Sequence, residues 1–428
     1  MASQKRILDL SRFVAIGDSI TAGYADGALY YKGQIYAYPN LLARQFNTLC
    51  PLVFRQALVD KHSSGIGFIG RSRLILIPDE HNPKNKWGCL SYLSTKGDNR
   101  ILSENLYHSN GPFHNMAVPG AKAAHLLQPG YGDPAKGMGN YNPFFTRMAS
   151  DPGRTSVLAD ILSLDPTFFT LFIGNNDVLS YAMHGGTTDI ITPSQGKAGA
   201  GFTETLRYLI EKLTEKGAKG IITTLPDLTT IPFFNTIAYD HLLLDTEEAA
   251  QLNGYYASEQ LHFKAGANAF VVETSRDNNT GLRQMKKGEV VLCEIMQDPL
   301  SSAYLSGKLP IPPNYYLDLQ QITDIKQAIN SYNEAIAGIA LEKGLGLVNL
   351  NDLLRSARPD RVYDRKLRAI HFLETGAFSL DGIHINALGQ ALLANEFIKA
   401  IYRKYGLRIP RVPIVQFRKK HRITMNIK

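Results

Sequence analysis

Ser19 stands in Gly17-Asp18-Ser19-Ile20, where the short apolar run 13–18 (FVAIGD) gives way to TAGYADG. A hydroxyl there can serve as a nucleophile if a base lies beside it, or it can merely cap the next helix. For an isolated GDS tripeptide the cap is the simpler reading, so the case for chemistry rests on partners. The best partner is SLDGIHINALG at 379–389, where Asp381 precedes His384 by three residues. That spacing is compatible with a turn in which the carboxylate accepts from one imidazole nitrogen while the other faces the serine, as a general base requires. Without the rest, the pair reads as a loop Asp beside a surface His.

A serine nucleophile next needs donors for the oxyanion of a tetrahedral intermediate. Gly120, in NMAVPGA, can bring its backbone N–H close to a ligand, although a turn glycine after Pro119 explains it equally well in isolation. Asn176, in FIGNND, carries an uncharged amide donor; the simpler reading is a loop-forming Asn. Asp177 beside it reads as a helix cap or structural acceptor rather than a catalytic acid.

These residues need a scaffold that gathers them. Apolar runs at 13–18, 113–118, 167–173, 219–225 and 346–350 predict buried strands. Amphipathic stretches at 155–163, 202–216 and 324–343 precede the third, fourth and fifth of them, and a helix over 386–404 follows His384. Alternating strands and helices imply an α/β architecture, a parallel sheet covered on both faces. Ser19, Gly120 and Asn176 then fall just past strand ends, the edge at which open α/β sheets bind ligands. Residues 51–105 and 233–320 are long for connections and read as insertions on one domain spanning 1–428.

Composition is ordinary for a globular chain, 44% hydrophobic and 20% charged, which excludes disorder as a class. The net charge of +8 draws on a basic C-terminal tail, 411–428, that holds Arg411, Arg418, Lys419, Lys420, Arg422 and Lys428 and no acid. Only Phe417 accompanies these charges, so a solvated tail is expected and no nucleic-acid partner. Cys50, Cys89 and Cys293 are too few and too far apart for a disulfide framework or zinc knuckle, although one disulfide is allowed. No signal peptide and no transmembrane segment is expected, and a leader removed earlier stays open.

In chain order these segments resemble the SGNH/GDSL hydrolase family, whose blocks carry Ser, Gly, Asn and His. Gly17, Asp18 and Ser19 match the first block, Gly120 the second, Gly174, Asn176 and Asp177 the third, and Asp381 with His384 the last. The resemblance implies a three-layer, flavodoxin-like fold, with Ser19 as nucleophile, His384 as base and Asp381 as orienter. It implies an oxyanion hole from the Ser19 and Gly120 N–H groups and Asn176. Two departures stand out: Ile20 where the family name has Leu, and Ala121-Lys122 where many members have Asp-Thr. Together with GYADGALY, NPFF and IGNNDVL, the long insertions make the chain similar to large bacterial GDSL-like lipases or acylhydrolases. Many of those are exported or lipid-anchored, but no lipobox occurs here, which leaves location open.

The resemblance thus implies cleavage of a small-molecule or glycan ester, lipid or acetylated carbohydrate, through an acyl-enzyme and with no cofactor or metal. A silent binding protein for glycans or acyl groups on the same fold is the alternative. GIGFIG at 65–70 matches a dinucleotide fingerprint, but the following RSRLILIP looks extended, so a glycine-rich loop is expected. No P-loop, HExxH or GxSxG segment occurs. Tyr24, Tyr30, Tyr31, Tyr36 and Tyr38, and IPFFNTIAY after the fourth strand, are candidates for apolar surface near a cleft, though core is the commoner fate.

Overall fold

The computed structural model describes residues 8–78, 90–276, 279–352 and 376–420. Four parallel strands, β1 (Phe13–Gly17), β2 (Phe168–Phe172), β3 (Lys219–Thr223) and β4 (Gly346–Val348), pair in that order. Every residue of β1 and β2 is buried, the continuous apolar pattern of strands covered on both faces.

The predicted strand at 113–118 runs along the free side of β1 without becoming regular. Ala15 N–H donates to His114 O at 2.8 Å, and Met116 and Val118 donate to Ala15 O and Gly17 O at 2.9 Å each. Only Ala15 and Asn115 close a formal bridge. On the edge away from β1 the Asn115 side chain accepts from Ala117 N–H and donates to Thr21 O, so this segment's polar groups are satisfied locally. With this segment outside β1, the order is that of a flavodoxin-like sheet.

The principal helices are α1 (Ser19–Ala22), α2 (Tyr38–Phe46), α3 (Val157–Ser163), α4 (Asn176–Met183), α5 (Phe202–Thr214), α6 (Leu319–Glu342) and α7 (Ala387–Tyr405). In α5 the buried residues Phe202, Leu206, Leu209, Ile210 and Leu213 recur at helical spacing. Helix α7 packs on α2, β3 and β4, with Tyr38 stacked on Phe397 at 4.6 Å. Its start is fixed by Asn386, whose side chain accepts from Gly389 N–H.

The chain divides into two compact units. The first comprises 1–176, 192–226 and 330–428, within the described residues; the second comprises 177–191 and 227–329. Short antiparallel pieces build the second: Ile237–Ala238, Val290–Val291 and Tyr316–Leu317 form one ribbon, Val271–Arg276 and Asn279–Gln284 a hairpin. Phe270, Val272, Leu292 and Ile311 are fully buried there, and the buried Glu289 takes a two-pronged hydrogen bond from Arg283 at 2.7 and 2.8 Å. In the first unit Phe54, from the 51–105 stretch, stacks under Phe13 of β1 at 5.1 Å.

Cys50 and Cys293 carry free thiols, and Cys89 lies outside the described residues, as do 421–428 of the basic tail. Phe417 of that tail is buried and meets Tyr36 edge-on at 5.6 Å. Among the described residues no helix is long and apolar enough to cross a membrane.

Candidate active site

Ser19 opens the single-turn helix α1 directly after β1, and Asp18 caps it. Helix ends leave backbone groups unpaired, and a helix of one turn is nearly all ends. Here distant side chains satisfy them: Gln390 donates to Ile20 O, Asn115 to Thr21 O and Gln56 to Ala22 O, at 2.9, 2.9 and 3.0 Å. Gln390 also accepts from Tyr38 N–H at 2.8 Å, tying α7 to the start of α2. The turn that carries the serine is thereby held in place by three other parts of the fold.

The loop 376–386 is closed by its own backbone. Ser379 N–H donates to His384 O at 2.7 Å and Asn386 N–H to Ala377 O at 2.9 Å. The reversal between them needs Gly382 at φ +72°, a left-handed conformation open to glycine. This brings His384 Nδ1 within 2.9 Å of Asp381 Oδ2 and His384 Nε2 within 2.8 Å of Ser19 Oγ. The carboxylate can only accept, so Nδ1 carries the proton and Nε2 is left to receive one from the serine. Ser19 and His384 are both buried, at 6% and 8% exposure.

Asp381 is held on every side. Its Oδ1 accepts from Ile383 N–H, His384 N–H and Ser379 Oγ–H at 2.9, 2.8 and 3.0 Å, and its Oδ2 accepts from Gly27 N–H at 2.8 Å. Burial alone would raise its pKa, but the His384 ring and the His384 and Ile383 N–H groups outweigh burial and hold the carboxyl well below the usual range. The loop after α1 braces this corner. Asp26 N–H donates to Ser379 Oγ, Leu380 N–H donates to Asp26 Oδ1, and Tyr30 OH donates to Asp26 Oδ2, at 2.9, 2.9 and 2.7 Å. Burial raises the pKa of Asp26, opposed by the Leu380 and Tyr30 donors.

Asp18 is fully buried, accepting from Ile20 N–H at 3.1 Å and from Asn175 Nδ2 at 2.8 Å. Burial dominates these donors and lifts its pKa to about 6.

Gly120 and Asn176 lie where the 113–118 segment and β2 end. Gly120 adopts φ +77°, a conformation that favours glycine, and a Cβ there would come 2.8 Å from the Phe68 ring, which would have to shift. Asn176 donates from Nδ2 to Ala121 O at 3.0 Å, which links it to the residue after Gly120. Asn142, the cap of the short helix Pro143–Thr146, donates to Pro119 O at 2.9 Å and to Tyr131 OH at 3.0 Å, bracing the other side of Gly120. Asp177 sits buried in the first turn of α4.

Of the aromatic candidates, Tyr24 lies against His384 with ring centres 4.8 Å apart, whereas Tyr38 belongs to the core. The GIGFIG stretch forms a turn and bridge, with no helix opening from it. Sequence reasoning did not find Asp26, Ser379, Asn142, Asn175 or Gln390. Each is a buried or half-buried polar residue whose partner lies far along the chain, except that Asn142 before Pro143 carries a recognisable helix-cap signal.

A family model described as GDSL-like lipase/acylhydrolase matches residues 13–397. No curated protein sequence matches the chain. Among solved structures, a variant of Axe2, an acetyl xylan esterase from Geobacillus stearothermophilus, is 13% identical with TM-score 0.34, covering 94% of this chain and 96% of its own. An extracellular lipase from Streptomyces rimosus is 12% identical with TM-score 0.33, covering 91% and 98%. LAE5, an alpha/beta hydrolase enzyme from the metagenome of Lake Arreo, Spain, is 14% identical with TM-score 0.34, covering 91% and 93%.

Proposed function

The chain belongs to the GDSL-like lipase/acylhydrolase family and is a hydrolase of ester bonds, and from that premise we propose how its residues cleave an ester. Ser19 Oγ attacks the ester carbonyl while His384 Nε2 takes the hydroxyl proton, and Asp381 holds the imidazolium that forms. The backbone N–H groups of Ser19 and Gly120 and the Asn176 amide receive the oxyanion. Collapse breaks the bond to the leaving alcohol, which takes the proton from His384, and leaves Ser19 acylated. Water, deprotonated by the same imidazole, then releases the acid and restores Ser19. The observation that carries this reading is the unbroken relay Ser19 Oγ, His384 Nε2, His384 Nδ1 and Asp381 Oδ2, with contacts of 2.8 and 2.9 Å. The second unit is read as decoration, since every residue assigned a role, Ser19, Gly120, Asn176, Asp381 and His384, lies in the first.

Base catalysis contributes about 10²–10⁴-fold, and loss of the nucleophile removes the acyl-enzyme route altogether. Ser19→Ala and His384→Ala are therefore expected to reduce p-nitrophenyl ester turnover to near background, and Ser19→Ala to abolish labelling by a serine-directed fluorophosphonate. Equal turnover in wild type and Ser19→Ala would remove the assignment. A wild type that neither labels nor hydrolyses would favour a silent, ligand-binding role for the cleft.

A further inference from the structure

The turn Gly65–Gly70 is fixed at its base and open at its tip. Leu29 and Ile66 exchange both backbone hydrogen bonds, at 2.9 and 3.1 Å, Gly67 N–H donates to Arg71 O at 2.8 Å, and Gly97 N–H donates to Gly70 O at 2.9 Å. The tip presents Phe68 and Ile69, which are 56% and 69% exposed although both are large and apolar. Phe68 is nonetheless specifically placed. Its ring covers Gly120, meets Phe144 edge-on at 5.2 Å and lies 5.6 Å from Tyr24, whose ring in turn contacts His384. A run of ring contacts thus leads from His384 over Tyr24 to Phe68, whose exposed neighbour in the chain is Ile69.

We propose that Phe68 and Ile69 form the wall on which the acyl chain of the substrate lies, so that the substrates are esters of medium-length to long apolar acids. The inference rests on the Ser19 reading and adds the substrate class to it. Two neighbouring exposed apolar side chains are unremarkable singly, but with Phe68 lying over Gly120 they offer a surface suited to an apolar group. An acetyl group has no atoms to lay along that wall. A sugar ring could stack on Phe68, but Ile69 beside it offers neither donor nor acceptor to ring hydroxyls. Each methylene buried against such a wall is worth roughly fourfold in kcat/KM.

The test is a chain-length series of p-nitrophenyl esters, acetate to decanoate, with full-length wild type, Phe68→Ala and Ile69→Ser, folding of each checked by circular dichroism. In wild type kcat/KM is expected to rise with chain length at least to octanoate. Ile69→Ser, at an exposed site that cannot unfold the chain, is expected to lower the octanoate-to-acetate ratio of kcat/KM about tenfold, and Phe68→Ala at least as much. A wild type fastest on acetate, or a ratio unchanged in both variants, overturns the acyl wall while Ser19 still labels with fluorophosphonate. Loss of both labelling and hydrolysis in wild type overturns the Ser19 reading, and this inference with it.

Discussion

The corner that holds Ser19 and His384 and the rim that carries Phe68 and Ile69 are built in opposite ways. At the corner, α1 is one turn long, yet Gln390, Asn115 and Gln56 satisfy its successive carbonyls from three remote segments, and Asp381 accepts five donors. At the rim the tip side chains make no such bonds and rely on ring packing. The difference suits the role proposed for each. Proton transfer tolerates little error in position, so its groups are over-determined by buried hydrogen bonds, each expensive to leave unmade. An apolar chain binds without direction and needs area, which a turn with an exposed tip supplies.

The contrast can be strained from the corner outward. Asn176 is where the two meet: it is anchored to Ala121 but is proposed to act on the oxyanion. Asn176→Ala is expected to lower kcat about 10²–10³-fold with KM nearly constant and the unfolding midpoint close to wild type. A rise in KM without loss of kcat would move Asn176 from the chemical group to the binding rim. Gln390 is the next lever. Gln390→Leu preserves volume but strands the Tyr38 N–H in the interior, at about 1–3 kcal/mol, and leaves the Ile20 carbonyl only its bond from Gly23 N–H. Urea unfolding is expected to shift by an amount in that range, with kcat falling less than in Asn176→Ala. An unchanged midpoint would mean that water can replace the clamp and that the rigidity argument fails.

Much of this was open to reading along the chain, and the boundary has a physical cause. The sheet was legible because runs such as FVAIG and FFTLF are apolar but for Thr170 and carry no charge to suit an exposed face. Ser19, Gly120 and Asn176 were found as candidates because they fall just past such runs, and Asp381 and His384 because their three-residue spacing before the last helix suits the same chemistry. The strand at 113–118 was overstated: three hydrogen bonds tie it to β1, but only one bridge closes. The braces stayed hidden for a different reason. Nothing near Gln390 in the chain marks it as the partner of Ile20, 370 residues away, and nothing in GYADG marks Asp26 as the acceptor for Leu380. Such bonds exist only once the strands have brought the loops together. Gln390 did carry a faint trace, a polar residue between buried Leu388 and Leu393 on the inner face of α7.

The tightness of the corner also has a cost, and Asp18 exposes it. Burial lifts its pKa to about 6 from an ordinary 3.8, so folding favours the protonated acid. Below about pH 4 both folded and unfolded chains hold that proton and no penalty arises. As pH rises from 4 through 6 the unfolded chain ionises first, and folding stability is lost until Asp18 ionises in the folded chain as well. By pH 7 the penalty is a few kcal/mol, on the order of 1.4 kcal/mol for each unit between the two pKa values, with the donors' opposing effect already contained in the shift. Asp18→Asn removes the titration while keeping an acceptor for Ile20 N–H. The Asn175 amide can turn to meet it, because its Oδ1 has no partner among the described residues. The stability of Asp18→Asn relative to wild type is therefore expected to climb between pH 4 and 6 and then level off, measured as the difference in urea midpoints. Other groups are shared by the two proteins and largely cancel in that difference. A difference independent of pH would show that the nucleophile turn admits enough water to solvate Asp18, and would loosen the distinction between a rigid corner and an accommodating rim.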